Sequence, residues 1–509
     1  MLKVSIACAF VVLLFASAST QNRSSATTTQ AIVRTIHIDP PKPDGPRYLY
    51  VPFEVASSTK RINISYNYDR AYGSNTLDLG LFDPRFTGKV GDMSGFRGWS
   101  GYRRSEVSVS KEIATPGYVP GEIQPGTWRI IIGLYQVSSA GVDLTIKIDF
   151  ETDETKTATP ARATSLATVS KASSPNTPAR RWVRGDLHMH TVHSDGDWTI
   201  PQLITAAVNA GLDFISITDH NTNSHHAEIE NVETDRKSLL IIRGEEVTTY
   251  GGHANVWGLP KNGLVDFRVP PRDQAAISQV AEQAHRSGAL ISLNHPFGVC
   301  AGCMWSYGKE AEGFDAIEVW NGSWDTADEM AVAFWDRLLQ KGRRITAIAS
   351  SDSHRVENPL GQSTTHIAIT GNLSEQAVLR SIRAGHAYLT ESPASLITFV
   401  GQQADHNRRY LAGDVMKLRR PRRLRFNITL AGLDQAVNIF LISDGRAVNS
   451  FQSMARRTID LDVDADHNTY FRLEVRDRSG KMLALTNPIY VEMVTAMVAA
   501  RQAFIEPGG

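Results

Sequence analysis

The sequence predicts a central α/β unit with an antiparallel β-sandwich on either side. Three observations lead there. Residues 142–150 place apolar side chains at every second position, Val142, Leu144, Ile146, Ile148 and Phe150, which buries one face of a strand. From Arg181 onward strand and helix signals alternate, the pattern of parallel strands joined by helical crossovers. After residue 396 short alternating strands return, as in Leu424, Phe426, Ile428 and Leu430.

A chain of 509 residues exceeds one ordinary core, so two to four domains are expected. Composition is that of a globular protein, 42% hydrophobic and 21% charged, with a formal net charge of zero. No global field therefore draws it towards nucleic acid or an anionic surface, and neither partner is expected. The basic run at 417–425 (KLRRPRRLR) reads as a solvated strand edge, with contact to an anionic surface as the alternative.

Taken in order, residues 1–20 read as a signal peptide: Lys3, an apolar stretch at 4–16, then Ala16-Ser17-Ala18. Thirteen apolar residues are short of the roughly 20 a span needs, so export to the periplasm or the exterior is expected, without a membrane span. Residues 31–150 read as a β-sandwich, including a Pro125-Gly126 turn before the strand at Thr127. Residues 151–180, rich in Thr, Ser, Ala and Pro, read as a flexible linker.

Residues 181–395 carry strand candidates at 213–218, 239–247, 289–293, 316–320 and 345–349, and helix candidates at 201–210, 273–286, 327–340 and 375–383. Thr199 is placed to cap the first helix, Pro201 suits its first turn and Gly211 ends it. Residues 396–493 read as a second β-sandwich and 494–509 as a short helical tail. Cys300 and Cys303, a CxxC pair, point to a small disulfide in an exported chain. Free thiols or a metal role are the alternatives.

Ten of the fifteen histidines fall between residues 188 and 354. His188 and His190 form HxH after the first strand, and Asp195 lies in the same loop. Asp219 and His220 end the next strand, Glu246 ends another, and His253 opens the segment GGHANVWG. His295 ends ISLNHP, and Asp352 and His354 end ITAIASSDSH. In a parallel α/β unit such strand ends meet at one face. Residues i and i+2 of an extended segment share a side, so both HxH imidazoles point one way. Imidazole and carboxylate donors without cysteine suit divalent zinc, manganese or iron in a catalytic rather than a structural site.

Other polar groups have plainer readings. His193 belongs to the HxH loop, His225 and His226 open a helix, His285 lies on a helix surface, and Glu245 faces away from Glu246. Asp219 is placed to orient a neighbouring histidine.

The motifs HMH, HSDG, ITDHN, GEEVT, GGHANVWG, NHPF, EVWNG and SDSH, in that order, resemble the polymerase and histidinol phosphatase (PHP) superfamily. The segments at 95–106 (GFRGWSGYRRSE) and 114–128 (ATPGYVPGEIQPGTW) are similar to its exported carbaryl-hydrolase-like branch. The resemblance implies a distorted (β/α)7 barrel holding two or three metal ions. His188, His190, Glu246 and Asp352 would hold one, Glu246 would bridge to a second held by His253 and His295, and Asp195, His220 and His354 would hold a third. Glu246, Asp352 and His354 are the candidate catalytic residues, with Asp352 or His354 carrying the proton to the leaving group.

The expected reaction is attack by a metal-bridged hydroxide on a carbamate, ester or amide bond of a small aromatic substrate. Trp198, Trp305 and Trp320, with Trp324, flank the metal motifs and are candidates for the aromatic wall, with packing as the alternative. A phosphoesterase is the second reading, with Arg355 as phosphate clamp. A binding module on a degraded barrel is a third, opposed by the complete set of ligand positions. Oligomeric state is left open.

Overall fold

The structure, a computed structural model, describes residues 29–494 except 44, 72–73, 153–179, 234–238, 301, 303, 309–310, 404–407, 434 and 454–457. The expected signal peptide, all but the ends of the 151–180 linker, Cys303 and the helical tail beyond Val494 lie outside the described residues.

The first region holds β1 (Thr29–Ile38), β2 (Tyr48–Val55), β3 (Arg61–Asn67), β4 (Thr76–Phe82), β5 (Phe96–Gly101), β6 (Glu106–Ser110), β7 (Gly126–Gln136) and β8 (Val142–Glu151). They form two four-stranded sheets, in orders β1-β8-β3-β6 and β2-β7-β4-β5. Both sheets contribute to one core, with Ile64, Leu144 and Ile146 from one and Leu79, Trp128 and Ile130 from the other. The alternation in β8 runs as read from sequence, with Val142, Leu144, Ile146, Ile148 and Phe150 all buried.

The second region runs β9 (Arg180–Asp186), α1 (Ile200–Asn209), β10 (Phe214–Ile217), α2 (His226–Glu233), β11 (Leu240–Thr249), β12 (Gly252–Trp257), α3 (Gln274–Arg286), β13 (Leu290–Leu293), β14 (Ala316–Asn321), α4 (Thr326–Gln340), β15 (Thr346–Ser350), β16 (Thr364–Thr370), α5 (Glu375–Arg383) and β17 (Ala387–Thr390). Thr199 and Gln202 form a reciprocal capping box at the start of α1, which satisfies two N-terminal donors. The strands order as β15-β14-β13-β12-β11-β10-β9-β16-β17.

The sheet is mixed rather than parallel throughout. β12 is antiparallel to both its neighbours, because only Tyr250 and Gly251 separate it from β11, too short a link for a crossover. β16 is likewise antiparallel to β9 and β17. The run curves back so that β15 lies beside β16, where Thr365 Oγ1 accepts from Ala349 N (2.9 Å) and donates to its carbonyl (2.7 Å).

The third region contains β18 (Leu396–Gln403), β19 (Arg409–Tyr410), β20 (Val415–Leu418), β21 (Arg422–Ala431), β22 (Val437–Ser443), β23 (Arg446–Ser453), β24 (Thr458–Ala465), β25 (Thr469–Arg476), β26 (Met482–Thr486) and β27 (Ile489–Met493). One sheet, β19-β18-β21-β24, stands apart. The other strands continue the central sheet, because β26 pairs antiparallel with β17 through Tyr388↔Thr486 and Thr390↔Ala484. The expected separate sandwich is thus hydrogen-bonded into the α/β unit along one layer. The basic run is divided. Lys417 lies on β20, which among the described residues pairs with β27 on one side only, whereas residues 422–425 open β21, between β18 and β24, where Arg423 and Arg425 pair with Asp462 across its solvated face.

The first region is docked on the second. Arg268, nearly fully buried, donates to Tyr50 Oη (3.1 Å) and to the carbonyls of Lys89 (3.1 Å) and Asp92 (3.0 Å). Asp266, which pairs with Arg268, accepts from Gly91 N at 2.6 Å. Phe82, Trp99 and Ile131 belong to the same apolar cluster as Val247, Phe267 and Leu293.

Candidate metal centre

His188 and His190 lie just past β9, both fully buried, with their rings toward one side. His220 follows β10, Glu246 lies within β11, His253 opens β12, His295 follows β13, and Asp352 and His354 follow β15. Asp195 reaches the same place from the HxH loop. These nine residues meet at one end of the sheet because β9, β10, β11, β13, β14 and β15 run in a common direction there.

Glu246 is the hub. Its Oε1 lies 3.2 Å from His188 Nε2, 3.2 Å from His253 Nδ1 and 3.3 Å from His295 Nε2, and its Oε2 lies 2.8 Å from His220 Nδ1. Asp352 Oδ1 lies 3.3 Å from His188 Nε2 and 3.1 Å from His190 Nε2. Asp195 Oδ1 is 3.4 Å from His220 Nε2 and 3.3 Å from His354 Nε2. The sets His190, Asp195, His220, His354; His188, His190, Asp352; and Glu246, His253, His295 each bring ligand atoms close enough to share an ion.

A test of fit comes from the hydrogen bonds. His188 Nε2, both ring nitrogens of His190, Asp195 Oδ1, Glu246 Oε2 and Asp352 Oδ1 are buried and in no well-directed hydrogen bond, although several face a neighbouring imidazole or carboxylate across a short gap. Orphaned buried polar atoms are costly, so this many pointing at one place fits a site built around cations. The backbone is strained there too: Asn221, His295 and Asp352 adopt positive φ of 51°, 23° and 49°. Asp352 is held in that conformation by its N–H donating to the His188 carbonyl at 2.9 Å.

Electrostatics agree. Burial opposes charge throughout, but His188, His220 and His253 hold Glu246 well below the usual carboxylate range, and His188, His354 and His190 do the same for Asp352. His190 is pushed down to about 4 by burial and by His354 and His220, keeping its imidazole neutral. For His354 burial is outweighed by Asp352 and Asp195, which raise it to about 10.

Glu318, which the sequence reading passed over, completes the frame. It is fully buried in β14. Its Oε1 takes His188 Nδ1 at 3.1 Å, and its Oε2 accepts from His295 N (3.0 Å) and Asn321 Nδ2 (3.0 Å). Asn321 in turn donates to Asp352 Oδ2 at 3.3 Å. The only signal was its place in EVWNG, one carboxylate in an apolar strand. Asp219 accepts from Thr191 N, Thr191 Oγ1 and Ser194 Oγ and lies 3.3 Å from His225, so it pins the HxH loop rather than His220. Glu245 faces away, accepting from Val265 N, and burial raises it well above the ordinary value.

Above the cluster lies a cavity of about 470 Å³. Asp195, His220, Glu246, His253, His295, Asp352 and His354 line its base. Its opposite wall is Asp78, Trp99, Ser100, Tyr102, Arg103 and Tyr135 from the first region, with Tyr250 from the β11–β12 turn. The wall residues 99–103 fall in GFRGWSGYRRSE, a segment conspicuous in the sequence whose position over the site was not legible there.

Trp198, Trp305 and Trp320 are not among the lining residues. Trp198 is buried and donates to Ser353 Oγ, Trp320 is buried edge-on to Trp324, and Trp305 packs on Tyr307 and Phe314. All three serve packing: Trp320 turns inward from β14, while Trp198 and Trp305 pack from loops, Trp305 only partly buried. Arg355 also lies off the cavity, paired at the surface with Asp197 (2.8 Å), and it is Arg103, paired with the same carboxylate (2.6 Å), that reaches the cavity rim. His285 pairs with Asp315 at the surface of α3, and His193 is held by Ser224 and Glu228. Cys300, at the cavity lip, is disulfide-bonded.

No family model matches the chain, and no curated protein matches it. Among solved structures, a two-domain protein from Bacteroides vulgatus containing a predicted PHP-like metal-dependent phosphoesterase is similar at 18% identity, over 64% of this chain and 100% of that one, with a TM-score of 0.37. A putative metal-dependent phosphoesterase from Bifidobacterium adolescentis is similar at 18% identity, over 41% and 96%, with a TM-score of 0.29. An amidohydrolase from Chromobacterium violaceum is similar at 16% identity, over 37% and 92%, with a TM-score of 0.26.

Proposed function

We propose that this chain is an exported, metal-dependent hydrolase of the PHP type, acting on a carbamate, ester or amide bond of a small molecule. Its catalytic unit is a distorted (β/α)7 barrel over residues 181–395, and the regions 31–150 and 396–493 are β-sandwich units flanking it. The observation that carries this reading is the cluster of imidazole and carboxylate groups converging from six strand ends below one cavity, with buried atoms of His188, His190, Asp195, Glu246 and Asp352 in no well-directed hydrogen bond.

Two or three divalent ions, of zinc, manganese or iron, fit that donor set. His188, His190, Glu246 and Asp352 would hold one, Glu246, His253 and His295 a second, and Asp195, His220 and His354 a third. When bound, such ions lower the pKa of water and polarise the oxygen of the scissile group.

The chain's own groups orient these donors. Glu318 takes the Nδ1 proton of His188 and so leaves Nε2 free to face Glu246 and Asp352. His354 donates Nδ1–H to the Asp352 carbonyl at 2.8 Å, which leaves its Nε2 toward Asp195 at the cavity base. Asn321 holds Asp352 Oδ2, so Oδ1 faces the two imidazoles of HxH. Asp352 and His354 line the cavity where a leaving group takes up a proton. Residues of the first region's strands, Asp78, Trp99 and Tyr135, supply the wall of the cavity opposite the donors.

A phosphoesterase is the second reading, and Arg103 at the cavity rim is the observation that favours it. The deciding experiment is a paired assay on metal-reconstituted protein with an aryl N-methylcarbamate, an aryl acetate and an aryl phosphodiester, with His190→Ala as control. Carbamate or acetate turnover that is lost in the variant supports the first reading, and phosphodiester turnover alone moves the enzyme to the second. A fully metal-loaded protein with no turnover of any of them overturns both.

A further inference from the structure

We propose that the cavity wall facing the metal cluster binds a cationic group of the substrate, an amine or quaternary ammonium, at a site made by Asp78, Trp99, Tyr135 and Tyr250. This deepens the hydrolase reading and rests on it only for the bond that is cleaved.

Asp78, on β4, is 6% exposed and lines the cavity. Among the described residues it is absent from every ion pair within 4.0 Å; its one close partner is neutral, Tyr250 Oη donating to Oδ2 at 2.5 Å. Buried carboxylates are ordinarily paired with a cation, and here that place opens into the cavity. Burial accordingly pushes Asp78 up to about 7, although Tyr250 and His220 pull the other way.

The groups around that carboxylate are aromatic. Tyr250 stacks on Tyr48 at 5.5 Å between centroids and meets Tyr135 edge-on at 5.8 Å. Tyr250, Trp99 and Asp78 converge over Gly133 of β7. A Cβ there would lie 1.9 Å from Tyr250 Oη, 2.8 Å from Trp99 Cη2 and 3.1 Å from Asp78 Cβ, so the convergence requires glycine. Aromatic faces around a desolvated carboxylate select an organic cation over its neutral isostere, since the ring quadrupole and the carboxylate act in the same direction. Arg103, the basic residue on this wall, is committed to Asp197 at the rim, away from Asp78.

The experiment is calorimetric titration of metal-loaded protein with choline and with its neutral isostere, 3,3-dimethylbutan-1-ol. Hydrolysis of acetylcholine against 3,3-dimethylbutyl acetate runs alongside. Choline is expected to bind at least tenfold tighter than the alcohol, and the kcat/KM ratio of the esters to follow. Asp78→Asn should bring the two affinities within about twofold while bound metal is unchanged. Tyr135→Leu, which spares Asp78, should weaken choline at least threefold and the alcohol less than twofold. Equal affinities, no binding of either probe, or discrimination that survives Asp78→Asn overturns the proposal. Selective binding of choline with neither ester cleaved would leave it standing and count against the hydrolase reading alone.

Discussion

Glu318→Gln should separate the frame of the metal centre from its ligands. The wild-type carboxylate accepts three donors, His188 Nδ1 at one oxygen and His295 N and Asn321 Nδ2 at the other. An amide has one acceptor oxygen. If that oxygen takes the two-donor side, the amide NH2 faces His188 Nδ1, and the imidazole must shift its proton to Nε2 to accept from it. Nε2 is the atom turned toward Glu246 and Asp352, so the unloaded protein can satisfy its hydrogen bonds only by blocking a ligand position. Losing a carboxylate partner behind a ligating histidine costs about 10- to 100-fold in metal affinity, or about 1.4–2.7 kcal/mol. The unloaded variant should stay within about 1 kcal/mol of wild type, because its bonds are re-made rather than lost. Calorimetric metal titration with urea unfolding of the stripped protein measures both. An affinity within twofold of wild type, or a large stability loss without an affinity change, would refute the reasoning.

Two further predictions concern the scaffold. Arg472 is 1% exposed, pairs with Asp336 on α4 (2.5 Å) and Glu474 (2.8 Å), and lies over the Trp335 ring. Arg472→Ala should cost about 3 kcal/mol in urea unfolding, since Asp336 and Glu474 are left with less counter-charge in a buried setting. A loss below 1 kcal/mol would show that water compensates the pair. His366, stacked on Tyr388 and bonded to Thr390 Oγ1 (2.9 Å), is pushed down to about 3 by burial and by Arg184. The unfolded chain then binds the proton more readily, so this contribution is intact above about pH 6.5 and lost as pH falls towards 3. Between pH 7 and 5 the stability gap between wild type and His366→Gln should narrow by about 2 kcal/mol. A gap that does not vary with pH would count against a buried neutral imidazole.

Much of the local structure was legible because its signals are local. The period-2 pattern of β8 and the cap, proline and glycine around α1 act within a few residues, and the observed elements lie within a residue or two of the expected spans. The nine candidate ligands could be singled out because polar groups at the ends of apolar strands are conspicuous. Glu318 was not, since one carboxylate inside AIEVWN looks the same whether it faces solvent, the core or a histidine. The tryptophans misled for a related reason: nearness in sequence to a ligand does not say which way a ring turns, whether from a strand as at Trp320 or from a loop as at Trp198 and Trp305.

By itself, the sequence determined many of the strands and helices, though not β12, β16 or β17, and which donors stand at strand ends. It did so because these follow from periodicity and capping over short windows. Only the tertiary structure decided the antiparallel insertion of β12, the joining of β26 to β17 and the cavity wall built from β4, β5 and β7. Asp78 and Tyr250 stand 172 positions apart yet share a hydrogen bond. Such contacts depend on strand register and domain docking, which arise from the packing of the whole chain and leave no trace in a local pattern.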